Sequence, residues 1–592
     1  MRAVAVRRRG LAACLLAVLL SAAVIPVAAA APDVSLTGSG WGDGVGLSQY
    51  GAKALASDGA DYQQILNRYY TGVTVSPLAV TGDSGFILTD PEPLWVGLLQ
   101  DQSAVSFDVT SGSSDLCFDR TAFCVARAGT GTSWRFARSS VDVCYFEKVL
   151  ADGRRFPVSP SGSCDASIRS VEDQTEVSVP FKARSYSRGT LRLRDTPSGS
   201  GIHLVLEIGI EDYLRGISEV PDSWPVAAIE TQVVASRSLN VRTVLNLGPE
   251  AEFDTARRAK CNCHLTDRSP DPNYRGKAGE AAHPVWVDAV ETTTGEVVTY
   301  QGSAALALFH SSSGGWTENY VDVFGGTGHP YLATVVDSPS LADSAANPHN
   351  SWAAGFRQAS LAETFGFSWV SDMKVTQRNN SGSAQTISIS GIRSGRPATD
   401  LVSAVDVRLK LSLRSTTFDV TTSPRFGDVP TGHLFAGEIL GLDTLGITRG
   451  CTPADFCPDH SVTRAEMAAF LVRALDLPTS IGDPFDDDDG HALEREIAAL
   501  EASGITSGCS TTSFCPDRSV TRAEMAAFIV RGFSLSPVGS RPFFDVGGHF
   551  FEAEIASLEA SGITSGCSTT SFCPDRSVTR AEMAAFLIRA LA

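Results

Sequence analysis

Glu219 stands in the run EDYLRGISEVPDSWPVAAIETQVVASRS, followed at once by Val220 and Pro221 and then by Trp224. A carboxyl group among apolar neighbours is suited to proton donation near neutrality, because burial penalises its charged form and raises its pKa. The helix expected a few residues later opposes this, since its positive end favours the anion. Acid chemistry therefore requires that desolvation outweigh the helix. Other groups nearby are less suited: Glu230 reads as a solvated partner beside a buried helix face, and Glu211 and Asp212 as surface groups. The serines at 311–313 lack the nucleophile-elbow pattern, and with no His/Asp partners identified a serine hydrolase is disfavoured.

The elements that must position Glu219 are strands before it and a helix after it. LRLR and HLVLEIGI are strand-like; beyond them Asp222 or Ser223 is suited to cap a helix that tolerates Pro225 in its first turn and buries Val226, Ile229 and Val233. VWVDAV, EVVTY and AALALFHSSSGG read as later strands, and the irregular alternation favours α+β over a doubly wound sheet. Upstream, the alternating glycines Gly38, Gly40, Gly42, Gly44 and Gly46 permit unusual dihedrals and close approach to a partner. They lack the Gly-Lys-Ser/Thr ending of a phosphate loop. The stretch 76–180 alternates in short β-like runs and holds Cys117, Cys124, Cys144 and Cys164, whose three possible connectivities the sequence leaves open.

Three near-copies close the chain. Cys451 and Cys457, Cys509 and Cys515, and Cys567 and Cys573 recur at a constant step, each followed by VTRAEMAAF. Repeats of this kind stack to share a core that none buries alone. Thr463 and Glu466, Thr521 and Glu524, and Thr579 and Glu582 have capping-box spacing. Met467, Phe470, Leu471 and Ala474 continue as one apolar stripe. Arg464, Arg522 and Arg580, between the capping partners, are expected to point at solvent, and their recurrence favours an anion-contacting role. The short gap within each Cys pair suggests a disulfide-closed loop.

The net charge of −18 argues against a general nucleic-acid binder. A basic stretch ending at Arg9, an apolar run over 11–27 and small residues to Ala31 read as a secretory signal, so the mature chain is more acidic still. Cys14 precedes most of the apolar run and is misplaced for lipidation. No later run has membrane-spanning length. The remaining twelve Cys, in an oxidising compartment, favour disulfides.

The repeats resemble the S-layer homology (SLH) module, which implies a three-repeat all-α bundle holding an anionic secondary wall polysaccharide through Arg464, Arg522 and Arg580. The run around Glu219, with HSSSGGWTENYVDVFGG from His310 and the GLSQYGA segment, resembles the SpoIID/LytB family, in which the Glu before Val-Pro or Met-Pro is the acid of a peptidoglycan lytic transglycosylase. The order of the motifs departs from the family, whose GVGxSQYGA stretch often follows the catalytic module and carries His where this chain has Asp43. The resulting organisation is a secretory signal over 1–31, a Gly-rich segment over 32–75, a β-rich insertion over 76–180 and a SpoIID-like α+β core over 181–420. Repeats follow over 424–478, 484–536 and 541–592.

The resemblance implies cleavage of glycan strands to 1,6-anhydromuramic ends with Glu219 as sole acid and base. The muramic 6-hydroxyl replaces water as nucleophile, so a second carboxylate is not needed. Gln232, Arg237, Tyr274, Ser311, Ser313 and Gly314 are candidates to line the saccharide groove, as planar hydrogen-bonders, a stacking ring and a turn. Cys261, Cys263 and His264 fall where some family members bind zinc, but without an evident fourth ligand no metal or other cofactor is expected. The alternatives are a non-catalytic glycan binder that stimulates a cell-wall amidase and a structural surface-layer component.

Overall fold

The computed structural model describes residues 34–591 apart from 83–84, 120–122, 141, 160, 173–174, 269–270, 479–481, 483 and 537–542; the expected leader lies outside the described residues. Two large sheets build the body. One has seven strands, in the order Leu265–Thr266, Leu94–Gln102, Ile202–Ile208, Thr190–Asp195, Ala166–Ser170, Ser113–Phe118, Phe123–Gly129. The other has six, Arg155–Pro157, Val143–Val149, Thr132–Ser140, Ala104–Ser111, Glu176–Val179 and Arg184–Tyr186. Strands of the β-rich stretch 76–180 thus pair directly with the LRLR and HLVLEI strands, and their side chains enter one shared core.

HLVLEI is buried on both faces because each face has a cover. Ile202, Leu204, Leu206 and Ile208 enter the main core, while Val205, with Trp95, packs under the Cys261–Cys263 loop. Behind this body runs the long helix Val226–Leu247, whose Ile229, Val233, Val241 and Val244 face the main core. Its Val234 and Ala235 face a second core with Ile65, Leu66, Tyr69 and Tyr70, so the helix is apolar on two sides.

Three expectations about this region are corrected. VWVDAV is helical, within Pro284–Thr292: Trp286, Ala289 and Val290 are its buried side, and Pro284 occupies the first turn, where its missing N–H costs nothing. Asp222 does not cap the helix that follows it; its carboxylate accepts from Val285 N at 3.0 Å and so serves this other helix start. The long helix begins after Pro225 without a side-chain cap, and Val226 is 56% exposed rather than buried.

The N-terminal ribbon shows what the alternating glycines approach. Val34–Gly38 is the central strand between Trp352–Phe356 and Phe418–Thr422. Gly40, Gly42, Gly44 and Gly46 then have φ of 86°, 124°, 86° and 75°. A Cβ on them would meet Ser312, His310, Glu318 and Leu308 at 2.8, 2.6, 2.7 and 2.2 Å, so the ribbon lies directly on the 308–318 segment. Beyond it, Trp369–Arg378, Ala384–Arg393 and Arg396–Ser403 form a sheet that shares a small core with Val34, Leu36, Trp352 and Phe418.

Residues 424–591 carry the helices Ala436–Thr444, Arg464–Ala474, Glu494–Ala502, Arg522–Gly532, Glu552–Ala560 and Arg580–Ala590. Each TRAE start has a complete capping box. The three repeats close on themselves: Val462 N donates to Val578 O, Val578 N to Val520 O and Val520 N to Val462 O, at 2.9, 3.0 and 2.9 Å. One core spans all three. The disulfides join Cys451 to Cys457, Cys509 to Cys515 and Cys567 to Cys573, and also Cys117 to Cys124 and Cys144 to Cys164.

Candidate active site and wall-binding grooves

Glu219 lies on the turn between the short helix Ile210–Arg215 and the long helix, where Val220 is buried and Trp224 half-buried. Its side chain borders a cleft of about 690 Å³. Burial raises the pKa of the carboxyl, and the charge of Arg275 only tempers the shift. The carboxylate accepts no hydrogen bond from the described residues, which leaves the charge of Arg275 to favour the anion. Burial thus shifts this carboxyl in the direction that acid chemistry requires.

Across the cleft stands a charged wall. Asp267, buried, is held by Lys182 at 2.6 Å and Arg184 at 2.8 Å; Arg184 also donates to Tyr274 O at 2.6 Å and to Asn273 Oδ1 at 2.8 Å. Asp43 and Phe309 border the same cleft, bringing the ribbon and the HSSSGG segment to Glu219. A further tie is Gln49, whose Nε2 donates to the Glu219 carbonyl. His310 is buried, with Nδ1 facing Val45 O at 3.1 Å and a pKa lowered by desolvation. The single-residue reading of Glu219 missed Lys182, Arg184, Asp267, Asn273 and Gln49. The available signal was the polar, Pro-punctuated run DRSPDPNYRG, typical of a surface loop.

The candidate groove residues fall in three places. Arg237 is 1% exposed and clamped to Glu211 at 2.8 and 2.9 Å, with further bonds to Thr293 Oγ1 and to the carbonyls of Glu296 and Val290. Glu211 is thus an ion-pair partner rather than a free surface group. Tyr274 is buried in a stack between Tyr186 and Tyr213, 6.2 and 5.3 Å away, behind Glu219. Gln232, also buried, donates to Ser236 Oγ at 3.2 Å, and its Oε1 has no hydrogen-bond partner.

The SSSGG turn faces the ribbon. Ser311 O accepts from Tyr50 N, Ser313 Oγ donates to Asp337, and Gly314, at φ 77°, packs against Ser39. Cys261 and Cys263 are joined to each other. The His264 ring faces Trp95 N through Nδ1 and Gly248 O through Nε2, with its pKa pushed down to about 4 by burial. The trio thus offers neither free thiols nor an uncommitted ring nitrogen.

The three repeat arginines do not point at solvent. Arg464, Arg522 and Arg580 are 3, 2 and 4% exposed. Their Nε groups donate to Phe514 O, Phe572 O and Phe456 O at 2.7, 2.8 and 2.8 Å, always across a repeat boundary. Each guanidinium lies between two Phe rings, as Arg522 does between Phe572 and Phe586 at 4.8 and 5.3 Å. Repeat stacking, invisible in one copy, covers them. Arg464 still borders a groove of about 320 Å³ with Arg518, Arg531 and Phe550, and Nη2 of Arg464 and of Arg522 has no protein partner.

Residues 198–300 match the family described as Stage II sporulation protein (SpoIID), and residues 484–526 and 542–584 match the S-layer homology domain. The chain is 30% identical over 168 residues to S-layer protein EA1 of Bacillus anthracis, covering 27% of this chain and 19% of that protein. It is 29% identical over 123 residues to a cellulosome-anchoring protein of Acetivibrio thermocellus, 20% of this chain and 28% of that one. With an endoglucanase of Bacillus sp. strain KSM-635 it shares 36% identity over 109 residues, 18% of this chain and 12% of the enzyme. The chain spans about a fifth of the length of the first S-layer relatives it matches. These matches indicate a cell-surface protein held at the wall. No helix among the described residues is long and apolar enough to cross a membrane.

Proposed function

We propose that this chain, which carries a SpoIID domain and S-layer homology repeats, is a wall-anchored peptidoglycan lytic transglycosylase. The observation that carries the reading is the Glu219 carboxyl, poised above its ordinary pKa at the edge of a cleft roomy enough for sugar. Protonated Glu219 gives its proton to the bridging oxygen as the muramic C1–O bond breaks. The resulting carboxylate takes the proton of the muramic 6-hydroxyl as that oxygen bonds to C1. The products are a free 4-hydroxyl and a 1,6-anhydro ring, with no water consumed and Glu219 reprotonated. The charged wall of Lys182, Arg184, Asp267 and Asn273 supplies donors and acceptors for sugar hydroxyl and amide groups.

Mass spectrometry of purified glycan digested by wild type and by Glu219→Gln tests this. Anhydro ends from wild type and none from a folded variant are expected; equal release by both removes Glu219 from the chemistry. No ends from wild type, with faster turnover of an added amidase, would establish the binder instead.

Anchoring is assigned to the repeats, with an anionic wall polysaccharide seated in the groove beside Arg464 and contacts from Arg522 and Arg580 at the equivalent boundaries. Arg518 and Arg531, which line that groove with side chains 44% and 42% exposed, support this. A chain ending at Ser423 is expected to lose sedimentation with cell walls, and undiminished sedimentation would remove the repeats as anchor.

A further inference from the structure

Outside the Glu219 cleft, four rings form a continuous surface path. Trp41 is 47% exposed and stands edge-on to His349 at 4.6 Å; His349 meets Tyr50 at 5.5 Å, and Tyr50 meets Trp224 at 5.1 Å. The last three are half-buried. Cations brace both ends, with the Arg414 guanidinium 5.1 Å from the Trp41 ring centre and Lys53 Nζ 5.4 Å from that of Trp224. Lys53 is itself tied to Ala345 O at 2.8 Å.

Each end of the path lies a few residues along the chain from a residue that borders the cleft. Trp224 follows Glu219 on the same turn; Gln49, next to Tyr50, holds the Glu219 carbonyl; and Asp43, two residues after Trp41, borders the cleft. We propose that Trp41, His349, Tyr50 and Trp224 form an aromatic track on which the more distant sugars of a glycan strand stack as the strand enters the Glu219 cleft. The inference rests on the glycan reading of that cleft.

The physical case is one of cost and fit. A half-exposed indole leaves apolar area in water, and here it is held in place by its edge contact with the His349 ring and by the Arg414 guanidinium rather than packed into a core. Gly40 and Gly42, on either side of Trp41, have positive φ and press on Ser312 and His310, so the backbone that presents the ring is fixed before any ligand arrives. The apolar face of a pyranose covers such a ring, and its edge hydroxyls remain free to meet polar groups alongside. His349 suits a face-stacking role, since burial and the nearby Arg414 lower its pKa and favour the neutral ring.

The test compares binding of peptide-free glycan fragments of two and four disaccharide units to the full chain carrying Glu219→Gln, by calorimetry and by tryptophan fluorescence. The longer fragment is expected to bind about tenfold more tightly than the shorter, from stacking on the added rings. Adding Trp41→Ala or His349→Ala should bring that ratio close to one, and Trp41→Phe should restore part of it. An unchanged ratio in both alanine variants overturns the track while leaving the cleft reading intact, as does a ratio near one in the Glu219→Gln parent. Failure of the parent to bind either fragment overturns the cleft reading and the track together.

Discussion

The side-chain amide of Gln49 donates to the main-chain carbonyl of Glu219 at 3.3 Å, across 170 residues of sequence. This bond fixes the turn that carries the acid to the helix Gln49–Ser57, itself anchored on the 338–345 turns through Lys53. Gln49→Ala leaves the carbonyl to water, at a cost of about 1 kcal/mol of local order. Anhydro-end release should fall about fivefold, with the melting temperature little changed. Full activity in this variant would show that the turn is held by other means.

The carboxyl of Glu219 also makes a prediction about stability. Its folded pKa lies above the unfolded value, so the fold binds this proton more tightly than the unfolded chain does. That contribution is fully present below the unfolded pKa and is lost as pH rises through the folded one. Glu219→Gln removes the half-buried anion, so the variant should melt higher than wild type at about pH 8, with the difference gone by about pH 4. Wild-type activity should decline on the alkaline side as the acid form is lost. Thermal melts and rate profiles over the same buffers check both.

Arg237 was expected in the groove and instead pins the long helix to the Glu211 segment. Its removal leaves Glu211 unpaired and three bonds to Thr293, Val290 and Glu296 unmade. Arg237→Leu should cost about 3 kcal/mol or more. Hydrogen exchange across the long helix should rise accordingly, whereas a groove role alone would leave that protection unchanged.

What the sequence disclosed was local. The capping boxes and the repeat disulfides involve residues a few positions apart, whereas the apolar residues that border the Glu219 cleft, Leu239, Leu308 and Phe309, come from distant segments. What it concealed depends on partners distant along the chain. Glu211 reads as a surface group until Arg237 is seen folded back on it, and Arg464 reads as solvated until Phe514 of the next repeat covers it. VWVDAV misled for a different reason: its β-branched residues suit a strand, but Asp222, from a distant turn, caps it as a helix. For the Glu219 cleft, Tyr274 has the ring type sought, yet it is Asn273 that borders it.

Gly46 of the ribbon and Gly59, beyond the helix Gln49–Ser57, differ sharply in what they tolerate. At Gly46 a Cβ would stand 2.2 Å from Leu308 O, with φ at 75°; at Gly59, φ is 96° but nothing lies within 4 Å. Gly59→Ala should cost only the conformational term, about 1 kcal/mol. Gly46→Ala must also push the ribbon off the 308–318 segment, so a loss of about 3 kcal/mol or more is expected, together with activity, because the ribbon carries Asp43 and leads into the helix that starts at Gln49. Equal melting of the two variants would mean that the close approach is not needed.

The arginine burial changes how wall binding must be tested. Arg522 donates to Phe572 O, lies between Phe572 and Phe586 and meets Glu582 at 3.1 Å, so Arg522→Ala strips a repeat boundary of its filling as well as its charge. A loss of about 3 kcal/mol is expected, and reduced wall sedimentation in that variant would not by itself report an anion contact. Arg518 borders the groove too, but its side chain is 44% exposed and its pair with Glu524 lies at the surface. Arg518→Ala should therefore cost less than about 1 kcal/mol. If an anionic polymer occupies the groove, Arg518→Ala weakens sedimentation with melting unchanged, and the residual binding falls further with added salt. Sedimentation equal to wild type at low salt would place the polymer elsewhere on the repeats.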